Sequence, residues 1–179
     1  MSVQQVRYPL LAVVALVAGA AAGMDLADQV YVGGFVSQGY LNTADHNYLI
    51  PNTREGSGEF NEAAVHITAQ PRDDLHVGVQ LLGRDFGINE DASVHVDWAY
   101  GDYRWRDELG LRAGKIKLPL GLYNQGRDID MLRTTVLLPQ SVYSENDRDL
   151  MISYEGLGLY GNLPLGGWGE LDYEACYGS

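Results

Sequence analysis

The chain is short of cysteine, proline and basic residues, and these shortages exclude several classes of protein. Its one cysteine forms no internal disulfide, and no Cys/His spacing is typical of a zinc site. Because 12 Lys and Arg stand against 24 Asp and Glu, the formal charge of −12 argues against a nucleic-acid partner. No helical hydrophobic period of any length follows Asp25, which argues against a helical bundle. At 179 residues and 46% hydrophobic, the sequence predicts one folded domain, or part of a larger one.

Residues 1–22 predict a secretory signal peptide. Arg7 is the only charged residue before Asp25, and an unbroken apolar run covers 10–17. Small residues in A-x-A spacing follow and end at Ala22, which is typical of a signal-peptidase cleavage site. A membrane anchor is the alternative, but a spanning helix needs ~20 apolar residues and this run fades into Ala and Gly. We therefore expect cleavage after Ala22 and export of the mature chain.

Residues 23–179 predict an all-β fold, an antiparallel meander of about seven strands. The 22 glycines and 12 tyrosines favour strands joined by tight turns. The predicted strands are 30–41, 59–69, 75–83, 93–103, 109–117, 150–163 and 170–178. The first and sixth strands are too rich in glycine for their faces to be assigned.

Period-two alternation predicts that one face of this sheet is apolar and the other polar. Along 75–83, for example, Leu and Val alternate with His, Gly and Gln. In 93–103 the same rule puts four residues on the apolar face: Val94, Val96, Trp98 and Tyr100. Alternation alone does not separate a membrane barrel from a soluble sandwich, since both have it.

Strand length and loop length favour a transmembrane barrel. The predicted strands run about 9–14 residues, against ~5–6 in soluble sheets and ~9–11 across a bilayer. The connections alternate between long and short. The long ones are 42–58, 84–92 and 118–149, and the short ones are 70–74, 104–108 and 164–169. Outer-membrane barrels have this arrangement, with short turns at one rim and long loops at the other.

Aromatic residues near one short turn give a third reason to expect a transmembrane barrel. Trp98, Tyr100, Tyr103 and Trp105 precede the turn at 106–108, where an interfacial girdle is expected. A cross-strand aromatic cluster is the alternative interpretation. Seven strands do not close an even-stranded barrel, so we expect this chain to be the N-terminal part of a longer barrel.

Several short motifs in the second half of the chain resemble phosphate-selective porins of the O/P type. They are GKIK at 114–117, PLGL at 119–122, RDID at 127–130, LRT at 132–134, LPQS at 138–141, GLYG at 158–161 and ELDY at 170–173. The resemblance implies a barrel of 16 or 18 strands, a homotrimer in the outer membrane of a Gram-negative bacterium. It also implies passive diffusion of small hydrophilic solutes, with a preference for anions, and no catalysis, metal or cofactor. Outer-membrane lipid and lipopolysaccharide would be its surroundings.

Basic residues concentrate between the fourth strand and the long loop, and they are the candidates for selectivity. The pore-lining candidates are Arg112, Lys115, Lys117, Arg127 and Arg133. Arg112 alternates with apolar neighbours, so its side chain is expected in the lumen, and the loop 118–149 is a candidate constriction. If this loop folds inward, Arg127 and Arg133 are expected to meet Arg112 and to favour anions such as phosphate or carboxylates. In the alternative interpretation, Arg127 and Arg133 pair with acidic neighbours and only pin the loop.

Two other functional classes stay open from the sequence. A soluble periplasmic or secreted β-sandwich that binds sugar also alternates apolar and polar residues. A barrel enzyme would need a nucleophile, a base and an orienting group, and no serine–histidine pairing is suggested, so we expect no enzyme activity.

Overall fold

The computed structural model describes residues 22–27, 29–86, 93–127, 132, 135, 137–144 and 151–179; the predicted signal peptide lies outside these ranges except for Ala22. Eight antiparallel strands form one sheet, in which each strand pairs with the next along the chain. They are β1 (Ala22–Ala27), β2 (Val30–Leu41), β3 (Ser57–Arg72), β4 (Leu75–Asp85), β5 (Val94–Arg106), β6 (Leu109–Lys117), β7 (Ser153–Pro164) and β8 (Glu170–Gly178). Within the described ranges, no helix is long and apolar enough to cross a membrane.

The predicted all-β meander is confirmed, with one strand more than the sequence indicated. Strands β2 to β8 correspond to the seven predicted strands. The additional strand β1 pairs with the first half of β2, from Ala22 beside Gly34 to Ala27 beside Val30. The sequence of β1, AGMDLA, has no apolar alternation and continues the small-residue composition of the predicted signal peptide, so no strand was expected. The sheet is open, with β1 and β8 at its edges.

The connections fall into two sets at opposite rims of the sheet. Residues 28–29, 73–74, 107–108 and 165–169 join strands at one end, which we call the short rim. Residues 42–56, 86–93 and 118–152 join them at the other end, the long rim, and we call 118–152 the long loop. The alternation of short and long connections predicted from the sequence is therefore confirmed.

Strand register places the apolar side chains together on one face of the sheet. Val65 of β3, for instance, lies between Gly34 of β2 and Leu81 of β4. The register also settles the faces of the glycine-rich strands β2 and β7. Exposed hydrophobic residues of this apolar face are Val36, Val65, Ile67, Val77, Leu81, Val94, Val96, Tyr103, Leu111, Leu157, Leu159, Leu163, Leu171 and Tyr177. The opposite side is the polar face.

A β-bulge at Asp97 corrects the predicted faces of β5. Gln80 of β4 pairs with Trp98, but the next residue, Leu81, pairs with Val96, so Asp97 is the extra residue. An inserted residue shifts the alternation by one position from there onward. Trp98 and Tyr100 consequently lie on the polar face, and their predicted place in an outward aromatic girdle was wrong. Trp105 and Tyr103, nearer the short rim, are exposed.

The sheet curves with its polar face on the concave side. Tyr31 of β2 and Tyr160 of β7 line one cavity of about 820 Å³. In a flat sheet, strands five places apart would lie roughly 24 Å from each other. Glycine under an aromatic ring makes room on this crowded side: a Cβ on Gly78 would lie 2.8 Å from the Trp98 ring, and one on Gly110 would overlap the Tyr160 ring. Such glycine–aromatic pairs are a known device for bending sheets.

A buried hydrophobic cluster lies at the long rim. Leu41, Ile50, Phe60 and Phe86 form it, with Leu49 and Leu137 packed against them. The rings of Phe60 and Phe86 stack with centroids 4.5 Å apart. Described residues of three connections and two strands thus pack together at the long rim, and the apolar face contributes nothing to this cluster.

Candidate functional site

Three charged residues from neighbouring strands form the centre of the polar face. Arg112 of β6 donates from Nε to Asp102 Oδ2 of β5 at 2.8 Å, and its Nη1 lies 3.1 Å from Glu174 Oε1 of β8. Between β6 and β8, the β7 residue in register with Arg112 is Gly158, which has no side chain. This gap lets the guanidinium reach across β7 to Glu174. We call Asp102, Arg112 and Glu174 the arginine triad.

Tyr160 packs against the arginine triad and fixes it from the side. The Arg112 guanidinium carbon lies 4.2 Å from the centre of the Tyr160 ring, in cation–π geometry. The Tyr160 hydroxyl donates a short hydrogen bond to the second carboxylate oxygen of Asp102. A further cation, Arg104, lies 5.8 Å from the same ring. Arg112, which the sequence predicts to point into a lumen, lies on the concave polar face of the sheet.

A second charged pair lies between the triad and the long rim. Lys117 Nζ is 3.6 Å from Asp97 Oδ2, and Gln80 Nε2 donates to the same oxygen at 3.1 Å. Asp97 is the bulged residue of β5 and is only 1% exposed. The bulge directs this carboxylate onto the polar face, where it meets both partners.

Lys115 does not join the other cations. It lies in register with Ala99 on the apolar face, and its Nζ donates to the Val96 carbonyl at 2.6 Å. Val96 adjoins the bulge, where the ladder between strands is interrupted. The structure therefore places Lys115 away from the triad, where it satisfies a backbone carbonyl.

Arg127 is buried inside the long loop and holds it together. Its side chain is 3% exposed, and Nη2 donates to the carbonyls of Tyr143 at 3.0 Å and Ser144 at 3.2 Å. The Tyr143 hydroxyl in turn accepts from the backbone N–H of Leu122 at 2.9 Å. These hydrogen bonds to carbonyls hold the loop together, whereas Asp128 and Asp130, the acidic neighbours of the pinning interpretation, lie outside the described residues. The remaining candidate, Arg133, lies outside the described residues.

The long loop approaches the arginine triad from the long rim. Gln125 Nε2 lies 3.4 Å from Glu174 Oε2, four residues before the end of β8. At ~3.3 Å per residue, the loop therefore reaches about 13 Å into the concave side. Asn124 closes the base of the loop, since its Nδ2 donates to the carbonyls of Leu118 and Met151, both at 2.9 Å.

Sequence reasoning found Arg112 but missed the residues that define its surroundings. Asp102, Tyr160 and Glu174 come from three strands, and only the strand register brings them together. A usable signal existed, because Asp102 and Glu174 fall on polar positions of their strands once the bulge is counted. The site holds paired charges along the concave polar face of the sheet.

Comparison with known proteins gives no match: no family model, no curated protein and no solved structure is similar to this chain. The resemblance to porins therefore rests on the short motifs alone.

Proposed function

We propose that this chain forms part of the wall of an outer-membrane porin, which lets small hydrophilic solutes diffuse passively. The observation that carries the proposal is the uncovered apolar face of β2 to β8. In the described ranges, no second sheet or helix packs over it. A soluble sandwich would bury that face against another layer, whereas a barrel turns it toward lipid.

The polar face supports the same proposal. It is concave, lined by charged and hydrogen-bonding side chains, and approached by the long loop through Gln125. An inward loop over a polar lumen is the arrangement by which porins restrict solutes. The proposal requires that further strands pair with the edges β1 and β8, because unpaired backbone groups are costly in hydrocarbon.

The single cysteine gives a direct test. Cys176 is exposed on the polar face of β8, and Ala175 is its neighbour on the apolar face. We expect a hydrophilic, membrane-impermeant thiol reagent to label Cys176 of the membrane-embedded protein and to lower its conductance in a planar bilayer. In the matched variant, Cys176→Ser with Ala175→Cys, lipid should shield the thiol and leave the conductance unchanged.

Equal labelling of both positions, together with recovery of the protein in the aqueous fraction, would reject the porin and favour the soluble sandwich. Labelling of Ala175→Cys alone would reverse the assignment of the two faces. Absence of any conductance from the native protein would reject the channel itself.

A further inference from the structure

The most informative feature of the polar face is that its central cation is paired with two carboxylates. Arg112 contacts Asp102 at 2.8 Å and Glu174 at 3.1 Å, so the arginine triad as a whole carries one negative charge. All three side chains keep partial contact with solvent, between 14% and 26% exposed. A solute that passes the triad therefore meets a net anionic site and not a free guanidinium.

The other cations of the polar face have acidic or aromatic partners as well. Lys117 lies beside Asp97, Arg84 Nη2 lies 3.4 Å from Glu62, and Arg104 lies near the Tyr160 ring. On the described strands, the carboxylates of this face outnumber the cations. The carboxylates are Glu62, Asp97, Asp102, Glu170, Asp172 and Glu174, and the cations are Arg84, Arg104 and Arg112, together with Lys117, whose ammonium group reaches this face beside Asp97.

The placement of the surplus acids matters as much as their number. Asp172 and Glu174 line one cavity of about 540 Å³ together with Arg112 and with Gln125 of the long loop. The loop narrows the space in front of the triad, and low-dielectric walls around a narrow path focus the field of the charges that line it. Cations would be concentrated at this position and anions would be depleted.

From this arrangement we infer that the channel prefers small cations, including solutes that carry an amino group, and that Glu174 and Asp102 set this preference. The inference rests on the proposed function, since it concerns the charge of the same pore wall. It gives Arg112 a positioning role, in which the guanidinium holds two carboxylates at the narrow part of the path. It is opposite to the anion preference that the resemblance to phosphate-selective porins implies.

Reversal potentials test the inference. In a planar bilayer with a KCl gradient, the native protein should give a reversal potential of the sign for cation preference. Glu174→Gln should move that potential toward zero. Glu155→Gln is the matched control, because Glu155 lies on the apolar face of β7, beside Lys115, and its loss should leave the potential unchanged.

The native thiol gives a second readout that needs no charge variant. Cys176 lies two residues from Glu174 on the same face. A cationic methanethiosulfonate should modify the thiol about ten-fold faster than an anionic one of similar size. This factor is the lower end of the rate effects produced by focused fields. Native anion preference, an unchanged potential in Glu174→Gln, or faster anionic modification would each overturn the inference while leaving the channel standing. A native protein without conductance would overturn the proposed function as well.

Discussion

The two faces of the sheet differ in composition, in partners and in what covers them. The polar face carries paired charges, buried amides and aromatic rings over glycines, and the long loop approaches it. The apolar face carries exposed Val, Leu and Ile from strand after strand, and no described residue outside the sheet packs over it. In a water-soluble protein this distribution would be inverted, because apolar burial provides the main stabilising free energy. The proposed porin wall accordingly predicts a nonaqueous environment on the apolar side.

The largest loss of stability should come from removing the buried carboxylate of the polar face. Asp97→Ala removes a carboxylate that is 1% exposed and lies 3.6 Å from Lys117, whose side chain is 13% exposed. We expect a loss of about 3–5 kcal/mol in the free energy of unfolding, as for other broken buried ion pairs. Urea titration of the protein in lipid vesicles measures it.

Asp172→Ala is the control for that experiment, since Asp172 is an exposed carboxylate on the same face, bonded to Asn162. Equal losses in both variants would mean that the Asp97 site is no more buried in the native protein than Asp172.

A charge placed on the apolar face should have the next largest effect. Ile67→Arg puts a guanidinium in the middle of β3, where we expect lipid. The expected cost is about 2–4 kcal/mol of unfolding free energy in vesicles. Thr68→Arg, one residue along on the polar face, should cost much less. Equal stability of the two variants would contradict the assignment of lipid and lumen to the two faces.

Loosening the loop at the polar face should have a smaller effect. Asn124 is 1% exposed, and Asn124→Ala removes the side-chain donor to the carbonyls of Leu118 and Met151, of which Leu118 keeps the backbone N–H of Leu120. Unsatisfied buried groups cost about 1–3 kcal/mol, which we expect to appear as faster proteolysis within the long loop. Leu122→Ala is the control, because its side chain is 91% exposed. Identical digestion rates of the two variants would show that Asn124 does not secure the loop.

Lys115 should matter least. Lys115→Met removes one exposed hydrogen bond to Val96 and adds apolar surface to the apolar face, so we expect a change in unfolding free energy below about 1 kcal/mol. The reversal potential in a salt gradient should also stay the same. A clear shift of that potential would show that Lys115 reaches the lumen.

The fold was accessible from the sequence where alternation is regular, and was missed where the backbone departs from it. Period-two patterning identified both faces of β3, β4 and β8, because each apolar residue there faces one way without interruption. It assigned Trp98 and Tyr100 to the wrong face, since a bulge such as that at Asp97 has no mark in a single sequence. Glycine-rich β2 and β7 needed the register of their neighbours.

The candidate site was less accessible than the fold. Arg112 stood out as a cation at a polar position, but its partners come from residues 10 and 62 positions away. The burial of Arg127 depends on how the long loop folds upon itself, which local patterns do not encode. Charge density along the chain therefore suggested a positive site, whereas strand register places two carboxylates beside Arg112 and leaves the arginine triad with one negative charge.

The pairing of each strand with its immediate neighbour also sets an order of assembly. The hairpins β3–β4 and β5–β6 are joined by residues 73–74 and 107–108, so their ends meet at the smallest entropic cost. Pairing of β6 with β7 must close the loop of residues 118–152. Because the entropy of closing so long a loop is lost before any contact between the two strands forms, this pairing is expected to be slow. The chain would then fold as two units, β1 to β6 and β7 to β8, whose union completes the arginine triad last.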